Sequence, residues 1–342
     1  MTGFGALALL VVAFGQAALS AAEAGGGVRV WAREMPSFSE EDYRNGVESL
    51  FADFEERTQR SLAPGSERRV GLKVYTNSGP GLSTPLPLVR AVVASLENRG
   101  FRRDEIFIVD QSRFRLAQAG FLPRAGTGEA GTFEGSRVYA LETGEFFDSD
   151  WHYESPLPPR DDFRRLPRFR VDIDEEAEAV GEDRLSYLPY PLMHEVDFWI
   201  NLPMYTDHPN LGVNGALLNA TLWNAGNTSR FFNSRSTGPV AVAEIAAVPE
   251  LRRGWVLNLC TLQSFQYIGG PGFRSLYTSS RRELWMSADP VLLDALMVRE
   301  MNAHRRDRGF REIPEYVSLL EFAEQLGVGR SDPGAAEWVR LR

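Results

Sequence analysis

One stretch constrains the fold more than any other: residues 68–112, RRVGLKVYTNSGPGLSTPLPLVRAVVASLENRGFRRDEIFIVDQS. RRVGLKVYT is an apolar run of strand length. NSGPGLSTP is a loop rich in Gly and Pro. LPLVRAVVASLENRG has helical periodicity and stops at Gly100, a residue suited to the left-handed backbone just past a helix end. DEIFIVDQS is a second buried strand. Two apolar strands joined through a helix form a βαβ unit, and that connection requires the strands to run parallel. Parallel strands need helices on both faces, so the unit already implies a layered α/β protein.

The rest of the chain repeats the alternation. VRVWA at residues 28–32 predicts a strand, and SEEDYRNGVESLFADFEERT after it a helix with Val47, Leu50, Phe51 and Phe54 on one face. From about residue 185, VDFWINLPM, GWVLNLCTLQ and ELWMS predict strands, while NGALLNATLWNAG, VAVAEIAAVPEL, DPVLLDALMVREMNAHRR and EYVSLLEFAEQLGVG predict helices. Asp289 and Pro290 are placed as the N-cap and first residue of one of these. Between the two patterns, residues 123–185 are rich in Gly, Pro and charge. They predict an irregular insertion with short strands such as RVYAL and an acidic run, DIDEEAEAVGED, whose ordinary role is a solvated face. The expected architecture is α/β, with a three-layer parallel or mixed sheet. It is organised as a single domain over 25–342, or as two lobes at about 25–122 and 185–342 separated by the insertion 123–184.

The first 24 residues have the form of a secretory signal. An apolar core runs from Phe4 to about Phe14, and Ser20 and Ala22 suit cleavage after Ala22, although no Lys or Arg precedes the core. The core is short for a membrane span. We therefore expect a periplasmic or secreted protein with no membrane span after cleavage. The net charge of -9 argues against a nucleic-acid binder. Cys260 is the only cysteine, which excludes an internal disulfide and any iron–sulfur cluster ligated by this chain alone. Its setting, WVLNLC, predicts a buried strand residue.

Three blocks in order resemble the bacterial and archaeal family known as domain of unknown function 362. The first is residues 70–112. The second is VDFWINLPMYTDHPNLGVNGALLNATLWNAG, similar to that family's strand, Asn-x-Pro-like turn, His-bearing loop and Asn-containing helix. The third is GGPGF followed by ELWMSADPVLLDALM. The chain departs from the family pattern where Met204, Thr206 and Leu218 stand at positions commonly basic, and in lacking ferredoxin-like cysteines. Lys73, the one lysine among 37 Lys and Arg residues, falls on the family's lysine. The resemblance thus implies a functional lysine, acting as a point charge, or as a base or imine former, the last two being roles that arginine cannot fill.

Loops after parallel strands converge at the carboxyl edge of a sheet. The candidate catalytic set is Lys73, His208, Asp207 and Asp289, and the candidate ligand contacts are Asn77, Asn201, Asn214, Asn219 and Gly270. His208 and Asp207 are the candidate metal ligands if a metal is used; the cofactor is left open. His152, His194 and His304 lack a supporting pattern and are expected to be structural. Two functions follow. One is an exported enzyme acting on a small polar metabolite by Lys/His/Asp acid–base or metal-assisted chemistry. The other is a non-catalytic periplasmic ligand-binding or assembly protein that has lost the family's basic groups.

Overall fold

The structure is a computed structural model that describes residues 27–123, 131–155, 184–314 and 317–342. The expected signal segment and the acidic run at 172–183 lie outside the described residues. In chain order the first elements are β1 (Val28–Glu34), α1 (Glu40–Thr58), β2 (Val70–Val74), α2 (Leu86–Asn98), β3 (Ile106–Asp110) and α3 (Arg113–Ala119). Next come β4 (Thr132–Phe133), β5 (Ser136–Ala140), β6 (Phe147–Glu154), β7 (Leu185–Pro189), α4 (Tyr190–His194) and β8 (Phe198–Leu202). They are followed by β9 (Thr206–His208), β10 (Gly212–Asn214), α5 (Ala216–Ala220), α6 (Ser229–Phe232), α7 (Thr237–Ala246), α8 (Pro249–Gly254) and β11 (Trp255–Thr261). The last are β12 (Phe265–Gln266), β13 (Thr278–Ser279), β14 (Glu283–Ser287), α9 (Pro290–Asp307), α10 (Ser318–Gln325) and β15 (Ala336–Leu341).

The protein is α/β. A nine-stranded mixed sheet runs in the order β15-β1-β14-β11-β8-β2-β3-β5-β4. Its centre, β11-β8-β2-β3-β5, is parallel throughout, and β14 and β4 pair antiparallel with their neighbours. Every residue of β2, β3 and β8 is buried, as expected of strands covered on both faces. On one face the core is built from α1 and α2, with Tyr43, Val47, Leu50 and Phe51 packed with Leu88, Val89 and Val92 over Leu72, Ile108 and Ile200. On the other, residues of α5, α7, α9 and α10 pack with Val109, Trp199 and Cys260.

Local chemistry sets the helix ends. The Ser39 hydroxyl accepts the Asp42 N–H at 3.1 Å, and acidic residues fill the first turn of α1, where they meet the positive end of the helix dipole. Asp289 caps α9, accepting the Leu292 N–H at 2.8 Å, with Pro290 at the first position and His304, Arg305 and Arg306 in the last turn.

Three features depart from the sequence reading. The short strand expected at RVYAL within the irregular insertion is β5, but it is a full member of the main sheet, parallel to β3. The C-terminal strand β15 was not expected: its residues are only partly buried, so it lacks the apolar run of an inner strand, and it forms because β1 offers a free edge to pair with. The two stretches considered as separate lobes share one sheet, since β1 lies between β14 and β15 while β2 pairs with β8. A smaller four-stranded sheet, β10-β9-β12-β13, follows the carboxyl end of β8 and carries Asp207 and His208.

Candidate functional site

Lys73 lies in β2 with its side chain fully buried. Its ammonium donates to Asp110 Oδ1 at 2.7 Å, to Asn219 Oδ1 at 2.9 Å and to the Val74 carbonyl at 2.8 Å. An ammonium has three hydrogens, so all are spent. Burial pulls the Lys73 pKa down, and the adjacent Asp110 carboxylate opposes the shift. Asp110 is held in turn: it accepts the Thr76 hydroxyl at 2.5 Å and the Gln111 N–H at 2.8 Å.

This pair is one end of a polar ladder that crosses the sheet. Lys73 stands in register with Asn201, Asn201 with Asn258, and Asn258 with Ser287. The Asn219 side chain, from α5, bridges the first two by donating to Asn201 Oδ1 at 2.7 Å. Asn201 donates to Asn258 Oδ1 at 2.9 Å and to the Ala216 carbonyl at 2.9 Å. Asn258 donates to the Ser287 carbonyl at 3.2 Å. These side chains are all fully buried, and each bond satisfies a group that would otherwise be costly to desolvate. The ladder also fixes α5 on the sheet, because Asn219 belongs to that helix. Asp294 holds the same helix from α9: its carboxylate accepts the Ala216 and Leu217 N–H groups at 2.6 and 3.0 Å. Burial pushes the Asp294 pKa up to about 7.

Of the residues predicted from sequence, Lys73, Asn201 and Asn219 come together. The others do not join them. Asp207 accepts the Gly270 N–H at 2.7 Å and pairs with Arg305 at 2.7 Å, so its carboxylate fastens the 269–272 loop to α9. Gly270 is required there, since a side chain would run into the Asp207 carbonyl. His208 is next in β9, and strand alternation sends its ring elsewhere. Its Nδ1 accepts the Asn210 and Leu211 N–H groups at 3.3 and 3.2 Å, its ring lies 5.9 Å from that of Phe232, and burial pulls its pKa down to about 4. A histidine held neutral with Nδ1 occupied is a loop organiser. Asp289 is a helix cap whose second oxygen accepts the Arg330 N–H at 2.8 Å, and burial pushes its pKa up to about 6. Among the described residues no three His, Cys, Asp or Glu side chains are placed to hold a metal ion together.

Above the ladder, the loops after β2 and β8 bring a second group together. Tyr75, Leu82 and Met204 form a small apolar cluster against Trp223. The Tyr75 hydroxyl lies 2.8 Å from that of Ser78, which donates to the Pro271 carbonyl at 2.5 Å. Asn214 accepts the Trp223 indole N–H at 2.6 Å. Because an indole can only donate, this contact fixes Oδ1 as the bonded end and Nδ2 as the free one. That Nδ2 is buried beside Tyr75 without reaching hydrogen-bond geometry. The Asn77 Nδ2 is likewise buried with no hydrogen-bond partner.

Sequence reasoning missed Asp110, Asn258, Ser287 and Thr76. An Asn inside each of two apolar strands, WINL and VLNL, was the available signal, since an amide in such a run needs a partner on the next strand.

No family model matches the chain, and no curated protein matches it. Among solved structures it is similar to a structural-genomics crystal structure of a Thermotoga maritima protein, with 10% sequence identity and a TM-score of 0.40 over 78% of this chain. The match spans 59% of that protein's length.

Proposed function

We propose that this chain is an exported ligand-binding protein of the kind resembling family 362, one that retains the family's lysine as a structural charge rather than as a catalyst. The observation that carries this reading is a contrast in donors. All three N–H groups of Lys73 are spent inside a sealed network, while Asn77 and Asn214, in the loops above it, each keep a buried amide nitrogen outside hydrogen-bond geometry. Unspent buried donors are uncommon in folded proteins and suit a ligand's acceptor atoms. The ligand is a small polar molecule bearing carbonyl, carboxylate or hydroxyl oxygens. Trp223, half-buried and edge-on to Tyr75 with ring centroids 6.4 Å apart, supplies an apolar wall.

The enzymatic alternative would require the Lys73–Asp110 pair to open, at a cost of several kcal/mol for exposing a buried charge to a new partner. The test is native mass spectrometry of the mature protein purified from its own host, before and after Asn77→Ala. The binding reading expects a co-purifying small molecule that the variant loses while its unfolding midpoint stays close to wild type. A bound molecule retained by Asn77→Ala and lost only in Lys73 variants that remain folded would favour the enzyme.

A further inference from the structure

Beside β5, on the face of the main sheet that α4 covers, lies a cavity of about 380 Å³. Its walls come from β5, from the start of β6 and the segment before it, and from α4 and the residue after it: the rings of Tyr139, Phe146 and Tyr190, and the acidic residues Glu145, Asp148 and Glu195. Glu195 lies just before β8, while Tyr139 in β5 is in register with Val109 and through it with Lys73; neither Lys73 nor Asn201 lines the cavity. Tyr139 is stacked between two rings, with centroids 4.7 Å from Phe107 and 4.4 Å from Phe146.

We propose that this cavity binds a small organic cation carrying a guanidinium or alkylammonium group. The protein provides its own template. Arg69 pairs with Glu195 at 2.5 Å, donates to the Tyr139 hydroxyl at 2.7 Å, and lies 5.3 Å from the Phe107 ring centre. One carboxylate, one phenol and one aromatic face thus already hold a guanidinium at the cavity's edge. Glu145 and Asp148 present the same chemistry with no cation of this chain paired to them among the described residues. Among the described residues, Asp148 accepts the Asp150 N–H at 2.8 Å, and Glu145 a long contact of 3.5 Å from the Thr143 hydroxyl. Aromatic faces attract cations through their quadrupole, and more strongly where water is thinned out. The space is at the small end of ligand pockets, which run to roughly 300–1,000 Å³. The net charge of -9 would draw such a ligand in.

The test is isothermal titration of the full chain with ethylguanidinium chloride and with butylammonium chloride, and with sodium acetate as the anionic control. The variants are Glu145→Gln/Asp148→Asn and Tyr190→Leu. The first removes charge at partly or fully exposed positions, so the unfolding midpoint should stay near wild type. We expect saturable binding of at least one cation and none of acetate. The double variant should weaken binding by roughly tenfold or more, and raising salt from ~20 to ~200 mM should weaken it further. Binding that is equal in wild type and the folded double variant overturns the site. So does the absence of saturable binding by either cation at low salt. Because Asn77 and Lys73 do not touch the cavity walls, failure here leaves the reading of the carboxyl-edge loops standing.

Discussion

Charge is handled in opposite ways in two regions of the molecule, the Lys73 ladder and the cavity beside β5. In the ladder an ammonium and a carboxylate are sealed together, with every donor and nearly every acceptor matched by a named partner. In the cavity beside β5, Glu145 and Asp148 lie among aromatic rings with no basic partner among the described residues. The first arrangement specifies structure. The ladder ties β3, β2, β8, β11 and β14 to one register and seats α5 on them. The second leaves its binding capacity to be used from outside. The lone lysine, which suggests chemistry when met in the sequence, is sealed beneath the loops that carry Asn77 and Asn214.

If this contrast holds, damage to the ladder should be the most expensive. Lys73→Met strands the Asp110 carboxylate in the core and should cost about 3–5 kcal/mol in urea unfolding. Replacing both members, Lys73→Met with Asp110→Leu, should recover a large part of that loss. A double variant as damaged as the single would show that the pair is more than a matched buried charge. Lys73→Arg should also destabilise, because the sealed site has no room for the larger fork.

The fold was legible where signals are local. The βαβ unit declared itself through two apolar runs and a helix ended by Gly100, and the Asp289 cap through Asp-Pro before a periodic segment. Lys73, Asn201 and Asn219 could be named from their blocks, and they do meet. What joins them could not be read, because register between β2, β8, β11 and β14 is a non-local property that only assembly fixes. The same holds for the cavity, whose walls depend on the pairing of β6 with β7 across a long intervening segment. Asp207 and His208 could both reach one site only if they lay in a loop. Strand geometry separates adjacent side chains, and only the assignment of residues 206–208 to a strand reveals it.

The next largest effect is on pH dependence. Asp294 and Asp289 have folded pKa values raised by burial to about 7 and about 6. Between the ordinary carboxylate range and those values the folded protein holds protons that the unfolded chain releases. Stability from these groups is therefore fullest at acid pH and is lost as pH rises through 6 and 7, by up to ~1.4 kcal/mol per pH unit for each proton. His208 acts the other way. Its folded pKa of about 4 lies below the unfolded one, so its contribution is lost as pH falls below about 6.5. With two carboxyls against one imidazole, urea midpoints should be higher at pH 5.5 than at 7.5, and Asp294→Asn should flatten the difference. A protein more stable at pH 7.5 would contradict the burial of the two carboxyls.

Smaller effects belong to the open regions. Asn214→Ala loses the bond to Trp223 and should cost about 1 kcal/mol, with a larger loss of ligand than of stability. Glu145→Gln and Asp148→Asn should move stability by no more than about 0.5 kcal/mol, because neither carboxylate holds the fold together.

The central claim is that Lys73 is sealed, and the sequence offers a direct way to test it because no other lysine exists. The purified protein is treated with an amine-reactive ester, in native buffer and in urea, and the adducts are located by peptide mass spectrometry. The account predicts modification of the terminal amine alone in the native protein, with Lys73 labelled only after unfolding. Rapid labelling of Lys73 in the folded protein, or its trapping as a reduced imine with a carbonyl compound, would contradict a structural charge and restore the lysine to an accessible active site.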